Sequence, residues 1–328
     1  MEQPRTPTSL TGAVRYFGDR QRCLAYVVSR RWPGGVTCPT CGSEKVHFLA
    51  NQLRWKCSQK HNKRQFSAKV GTIFEDSALG FEKWLPAMWL LANCKNGISS
   101  YELADALKVT QRTAWFMLQR IRLAMQESGG KLGGPGMTVE VDETWIGGKA
   151  RNMNIGRRKK TKTEHKMGPY ARSGKAIVLG MLERGGRVVT KVVPNVRRKT
   201  LGKHIAEHVE KGTEIHTDRL ASYDSLDSRR YDNLGEPDYT HEVVDHAVEY
   251  VNGNVHVNGM ENFWRLLKRT IGGTYVSVEP FHLFRYLDEQ AFRFNARKET
   301  SSERFVDALD SVAGRRLTYK QLTTQPGS

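Results

Sequence analysis

Three of the five cysteines stand at positions 38, 41 and 57, and this spacing constrains the chain more than any other feature. In Cys38-Pro39-Thr40-Cys41-Gly42 two thiols are separated by two residues, and Gly42 can adopt the tight backbone that lets both sulfurs face one ion. Cys57 supplies a third thiolate and His61 an imidazole, so Cys38, Cys41, Cys57 and His61 form a tetrahedral donor set for one structural Zn²⁺. The common second knuckle has its last cysteine where Lys60 stands, which leaves His47 as the alternative fourth ligand. Val46–Leu49 and Leu53–Lys56 read as short strands joined by the turn-forming Ala50-Asn51-Gln52, and the whole is a zinc ribbon. Cys23 and Cys94 lie outside the cluster and read as core residues without a function.

Charge narrows the partners. Fifty-two Lys and Arg against 34 Asp and Glu give a net charge of +18, the balance of a chain that displaces counterions from phosphates. A length of 328 residues predicts two or three folded units, and 38% hydrophobic residues suffice for their cores. The apolar run Trp84–Ala92 is broken by Pro86, and the first thirty residues lack a signal-peptide core. A cytoplasmic protein with no membrane partner is expected.

Ser99-Ser100-Tyr101-Glu102 is a capping-box pattern, followed at helical spacing by Leu103, Ala104 and Leu107 until a break at Lys108-Val109. Thr110 caps a second helix, with Ala114, Met117, Leu118 and Ile121 inside and Gln111, Arg112, Thr113, Arg120 and Arg122 on its polar side. Two helices joined so tightly fit a helix-turn-helix, whose second helix would present Gln111, Arg112 and Thr113 to base edges. The glycine-rich stretch 129–136 then marks a flexible boundary.

Beyond it the texture changes. Met137–Asp142 alternates as a strand ending in a carboxylate, and Ala176–Leu182 and Arg187–Val193 flank Gly185-Gly186 as a hairpin. Lys199–Lys211 is helical, Glu214–Thr217 is a strand leading to Asp218, and His241–His246 is another strand. Three strands, a helix, a strand, a helix, a strand and a helix is the order of an α/β ribonuclease H-like domain. A later helix opens at Asn258-Gly259-Met260-Glu261, with Asn258 as its expected cap and Lys268 two turns along the face of Glu261. Asp142, Asp218 and Glu261 converging would repel without cations, so two Mg²⁺ or Mn²⁺ ions are expected there. Either Glu261 or Asn258 could be the third ligand, and Glu261 is preferred because its charge neutralises the ion better. Glu143, next to Asp142, should point to the opposite strand face. Between Lys149 and Lys175 ten Lys or Arg face one acid, Glu164. Arg157, Arg158, Lys159 and Lys160 are the candidates there for gripping a DNA backbone, the alternative being a solvated loop.

Val141–Lys149, His216-Thr217-Asp218 with Tyr223, and His256–Arg269 together resemble the catalytic blocks of bacterial insertion-sequence transposases of the DDE class. The likeness is to members with an N-terminal zinc ribbon, a helix-turn-helix and a ribonuclease H-like (integrase-type) catalytic domain, and Gly97–Ala104, Thr113–Leu118 and Arg285–Asn295 extend it. The resemblance covers roughly residues 15 to 300. It implies a multidomain α+β chain: helical segment 1–36, zinc ribbon 37–70, helix-turn-helix region 71–128, linker 129–136, catalytic domain 137–300 and C-terminal tail 301–328. It also implies cleavage of double-stranded DNA at transposon ends and transfer into target DNA by a homo-oligomer, nucleoid-associated when bound. Asp142, Asp218, Glu261 and Lys268 would be the catalytic residues. The rivals are a zinc-containing regulator with an inactive domain and a nuclease that cuts without joining.

Overall fold

The computed structural model describes residues 5–127, 129–147, 175–224, 226, 238–244 and 256–324. It divides into two compact units, residues 1–126 with 296–328, and residues 127–295.

The first unit opens with α1 (Leu10–Tyr16), capped by Ser9, and α2 (Arg20–Arg31), capped by Asp19. The ribbon follows as β1 (Val46–Leu49), β2 (Arg54–Cys57) and β3 (Gln65–Phe66), an antiparallel sheet in that order. Its small core is aromatic: Trp55 lies 4.9 Å from Phe48, 5.9 Å from Trp32 and 6.1 Å from Phe66 between ring centroids. The apolar run becomes α3 (Phe81–Asn93), 13 residues and so about 20 Å long, with nine residues buried. No described helix is long and apolar enough to cross a membrane.

The α4 helix (Ser100–Leu107) carries the Ser99/Glu102 capping box, and α5 (Gln111–Ala124) is capped by Thr110. The turn between them has no glycine, so Lys108 itself adopts the left-handed conformation at φ +50°. Arg120 and Arg122 depart from expectation. They are 3% and 1% exposed, because α5 is packed around its circumference; Arg120 donates to the carbonyls of Ile73 (2.9 Å) and Glu75 (2.7 Å).

Residues 301–328, expected as a tail, contain α9 (Ser301–Asp310) and α10 (Tyr319–Thr323) and cluster with the N-terminal unit. Phe305, Ala308 and Leu309 recur at helical spacing and are buried, Phe305 lying 5.3 Å from Trp89 and 5.4 Å from Phe17.

In the second unit β4 (Thr138–Ile146), β5 (Ala176–Glu183) and β6 (Val188–Val193) pair antiparallel, while β7 (Thr213–Asp218) runs parallel to β4 and β8 (Tyr239–Val244) parallel to β7. The sheet order is β6-β5-β4-β7-β8. Leu201 and Ile205 of α6 (Arg198–His208) pack on one face with Val139, Val141 and Met181. Met260, Phe263, Trp264 and Leu267 of α7 (Asn258–Thr270) pack on the other with Val178, Leu182 and residues of α8 (Leu283–Asn295). Each such side chain contributes about 1.5–3 kcal/mol by burial, which fixes α7 on the sheet. The glycine-rich stretch 129–136 is anchored too: Leu132 is fully buried and bonds through its N–H to His208 and through its carbonyl to Glu210.

Candidate functional site

Strand register brings the first two aspartates together. Val141 pairs with Thr217 across parallel β4 and β7, so Asp142 and Asp218 stand level one residue further, at the end where β7 stops. Asp142, Glu143 and Asp218 offer carboxylate oxygens that all lie within 4.8 Å of one another. Asp142 Oδ2 accepts a hydrogen bond from Trp264 Nε1 at 2.9 Å and its Oδ1 from its neighbour's backbone N–H at 2.8 Å. Trp264 reaches it because residue 180, opposite Asp142 in register, is glycine. A Cβ there would stand 2.2 Å from Met260 Cε and 2.6 Å from the Trp264 ring.

Glu143 does face the opposite side of β4, where Tyr223 donates to its Oε2 at 2.7 Å. At the strand end that side still lies close to Asp218, so Glu143 joins the acidic group from which the alternation rule separates it. Burial, and then the charge of Asp218, pushes the Asp142 carboxyl up to about 6. Burial pushes Glu143 to about 7, with Asp218 and Asp142 adding to it against the Tyr223 hydrogen bond. Carboxyls that resist ionisation so close together fit a site completed by divalent cations.

Glu261 lies in the first turn of α7, partly exposed and 3.5 Å from Arg265. Its charge adds to the upward push on Asp142, yet it stands outside the group of three. Lys268 is exposed in the last turn of the same helix. Asn258 does not cap α7. The N-cap is Val257, whose side chain cannot accept, and Asn258 is the first helical residue. The third amide of the turn, Met260 N–H, is instead bound by Glu140 Oε2 of β4 at 2.9 Å. The sequence signal for Glu140 is its place two residues before Asp142 on the same strand face.

The sulfur ligands and His61 form a second group within 4.8 Å. Cys41 Sγ lies 3.7 Å from Cys57 Sγ, and Cys38 Sγ lies 3.5 Å from His61 Nε2. Tetrahedral Zn²⁺ with the usual bond lengths sets such edges at about 3.8 Å and about 3.6 Å, so these residues fit the ion. His61 Nδ1 is 2.7 Å from the carbonyl of Asn62, a contact that leaves Nε2 as the ligating nitrogen. His47 lies outside this group, 3.3 Å from Ser58 Oγ. Burial opposes ionisation of Cys38, but backbone N–H groups of Cys41 and Thr40 bring its thiol down to about 7. Gly42 takes the expected left-handed turn at φ +71°. Burial, reinforced by Glu82 and Asp19, lifts the Cys23 thiol to about 12, consistent with an inert core residue.

In the first turn of α5, Gln111 donates to Ser100 Oγ at 2.8 Å, and Thr113 pairs with the capping Thr110 hydroxyl at 2.8 Å. Arg112 is exposed and donates to the Tyr319 hydroxyl at 2.7 Å. Arg157, Arg158, Lys159 and Lys160 lie outside the described residues. His204, Glu207 and His208 on α6 form a third group of ligand-type side chains.

Comparison with known proteins matches the ISXO2-like transposase domain model to residues 131–295 and the transposase zinc-ribbon domain model to residues 18–59. The chain is 29% identical over 309 residues to an uncharacterized protein in transposable element ISH50 of Halobacterium salinarum, covering 91% of this chain and 97% of that protein. It is 32% identical over 109 residues to an uncharacterized transposase-like protein of Haemophilus influenzae, covering 33% of this chain and 81% of that protein.

Proposed function

Because the chain belongs to the ISXO2-like transposase family, we propose that it cuts double-stranded DNA at the ends of an insertion sequence and joins the freed ends to target DNA. The observation that carries the reading is the level placement of Asp142 and Asp218 on adjacent parallel strands, with Glu143 in the same group. The sheet order, three antiparallel strands followed by two parallel ones, supports a ribonuclease H-like catalytic domain.

Asp142, Asp218 and Glu261 would hold the divalent ions, with Glu143 near enough to share them. Bound Mg²⁺ or Mn²⁺ supplies charge that activates the attacking oxygen and stabilises the leaving one. The chain's own part is to hold the acids in place: Trp264 fixes Asp142, Tyr223 fixes Glu143, and α7 carries Glu261. Lys268 would contact a phosphate near the scissile bond. In the other unit, α4 and α5 would act as a helix-turn-helix with Gln111, Arg112 and Thr113 toward the bases, and the ribbon as a second DNA contact. A homo-oligomer would hold two transposon ends together.

The experiment is incubation with supercoiled plasmid carrying the inverted repeats that flank the gene. Mg²⁺-dependent cuts at the repeat ends and joined products are expected. Binding without cutting would favour the regulator, and cutting without joining the nuclease. Affinity should also fall steeply with salt, about 0.9 log units per log salt for each phosphate neutralised. Replacing Arg157, Arg158, Lys159 and Lys160 with Gln should lower that slope by about 0.9 for every phosphate these side chains engage. An unchanged slope returns this run to a solvated loop.

A further inference from the structure

We infer that Glu140 is a positioning residue for the acidic site, acting through Glu261: it locks the first turn of α7 onto the strand that carries Asp142. The inference deepens the transposase reading and rests on Glu261 belonging to the metal-holding set.

An α-helix begins with backbone N–H groups that have no partner within the helix, and a Ser, Thr, Asp or Asn at the N-cap normally accepts one. Val257 has no such group. The acceptor comes from another element, Glu140 Oε2, 2.9 Å from Met260 N. A carboxylate there also meets the positive end of the helix dipole. Glu140 is 1% exposed, and its other oxygen faces Arg184 Nη2 at 3.4 Å and His256 Nδ1 at 3.3 Å. The same guanidinium donates to the carbonyl of His256 at 3.1 Å, tying the approach to the helix into the one charge centre.

The fit is close. A Cβ on Gly259 would stand 2.7 Å from Glu140 Oε2 and 2.6 Å from Leu182 Cδ2, so any side chain there would press on the carboxylate where it meets the helix. Glu140 and Asp142 share one face of β4, and Met260 immediately precedes Glu261. Strand residues 140 and 142 therefore contact helix residues 260 and 264 through hydrogen bonds, Glu140 to the Met260 amide and Asp142 to the Trp264 indole. Two fixed points set both the depth and the rotation of α7, and with them the distance from Glu261 to Asp142. Glu140 itself is wholly occupied by these partners and does not enter the group around Asp218.

The test measures Mn²⁺ affinity by electron paramagnetic resonance of the free ion, together with Mg²⁺-dependent end cleavage, on the full zinc-loaded chain. Glu140→Met, which keeps the length but offers the Met260 N–H no oxygen, should weaken Mn²⁺ binding about tenfold, the low end for residues that orient ligands, and lower cleavage at least as much. Glu261→Gln should weaken binding by a similar factor. The double variant should bind no more weakly than Glu261→Gln alone, because Glu140 acts through that side chain. Should Glu140→Met fail to fold, Gly259→Ala pushes the intact carboxylate away and should give the same loss, again absent in the Glu261→Gln background. Unchanged Mn²⁺ affinity in a folded Glu140→Met or Gly259→Ala, or factors that multiply in the double variant, would overturn the inference. Wild-type cleavage by Asp142→Asn would instead overturn the site reading beneath it, a result distinct from either.

Discussion

Asp142→Asn and Asp218→Asn should each lower end cleavage by about a thousandfold, about 4 kcal/mol of transition-state stabilisation, while leaving binding to the ends within about twofold. The amide keeps the size and one acceptor oxygen, so the Trp264 hydrogen bond to residue 142 survives. What is lost is the charge that holds a divalent ion. Asparagine should not destabilise the metal-free protein. Asp142 rises from 3.8 to about 6 and Glu143 from 4.5 to about 7, so the folded state keeps protons that the unfolded chain has already released. The contribution of these two acids to metal-free stability therefore falls as pH rises from about 4 to about 7, and Asp142→Asn removes part of that fall. Thermal melting of the wild type and Asp142→Asn side by side across this range checks the sign: the variant's advantage should grow as pH rises, and a difference that stays flat or reverses would show that Asp142 is not crowded as described.

Loss of zinc should have a larger effect, on the stability of the other unit. The ribbon consists of three short strands around Trp55 and has little else to hold it. Structural zinc supplies about 10–16 kcal/mol in isolated finger peptides at neutral pH, far more than so small a core can offer. Elemental analysis should find one zinc per chain, and Cys38→Ser/Cys57→Ser should carry none and lose the ribbon's share of folded signal. His47→Ala should retain the metal, since His47 lies outside the ligand group, whereas His61→Ala should weaken it sharply. Zinc retained by the double serine variant, or lost from His47→Ala, would contradict the assignment.

Local spacing carries much of this architecture. The interval from Cys38 to Cys41 and the run to Cys57 need only a turn and a hairpin to converge, so the ribbon is legible from residue spacing alone. Alternation and turn residues likewise give the strand order around Asp142 and Asp218. What local patterns miss are the consequences of long-range packing. Arg120 and Arg122 look like solvent-facing residues until the fold buries them, Arg120 against the carbonyls of Ile73 and Glu75. Residues 301–310 have an amphipathic pattern, but nothing local says that Phe305 returns to Phe17 and Trp89. Capping rules look along the chain and so assign the cap of α7 to Asn258, whereas the acceptor, Glu140, arrives from a strand some 120 residues earlier. Strand alternation sets Glu143 aside, because it separates faces but not carboxylates reaching past the end of β7.

If Asp142 and Asp218 hold the ions that drive strand cleavage, exchanging the ligand type must change which ion works. Asp218→Cys replaces a hard oxygen donor with a soft sulfur, which Mg²⁺ tolerates poorly and Mn²⁺ accepts better. End cleavage of the supercoiled donor by this variant should be absent in Mg²⁺ and return at least about tenfold in Mn²⁺, a change of about 1.4 kcal/mol or more. Wild-type cleavage by Asp218→Cys in Mg²⁺, with no gain in Mn²⁺, would contradict the account.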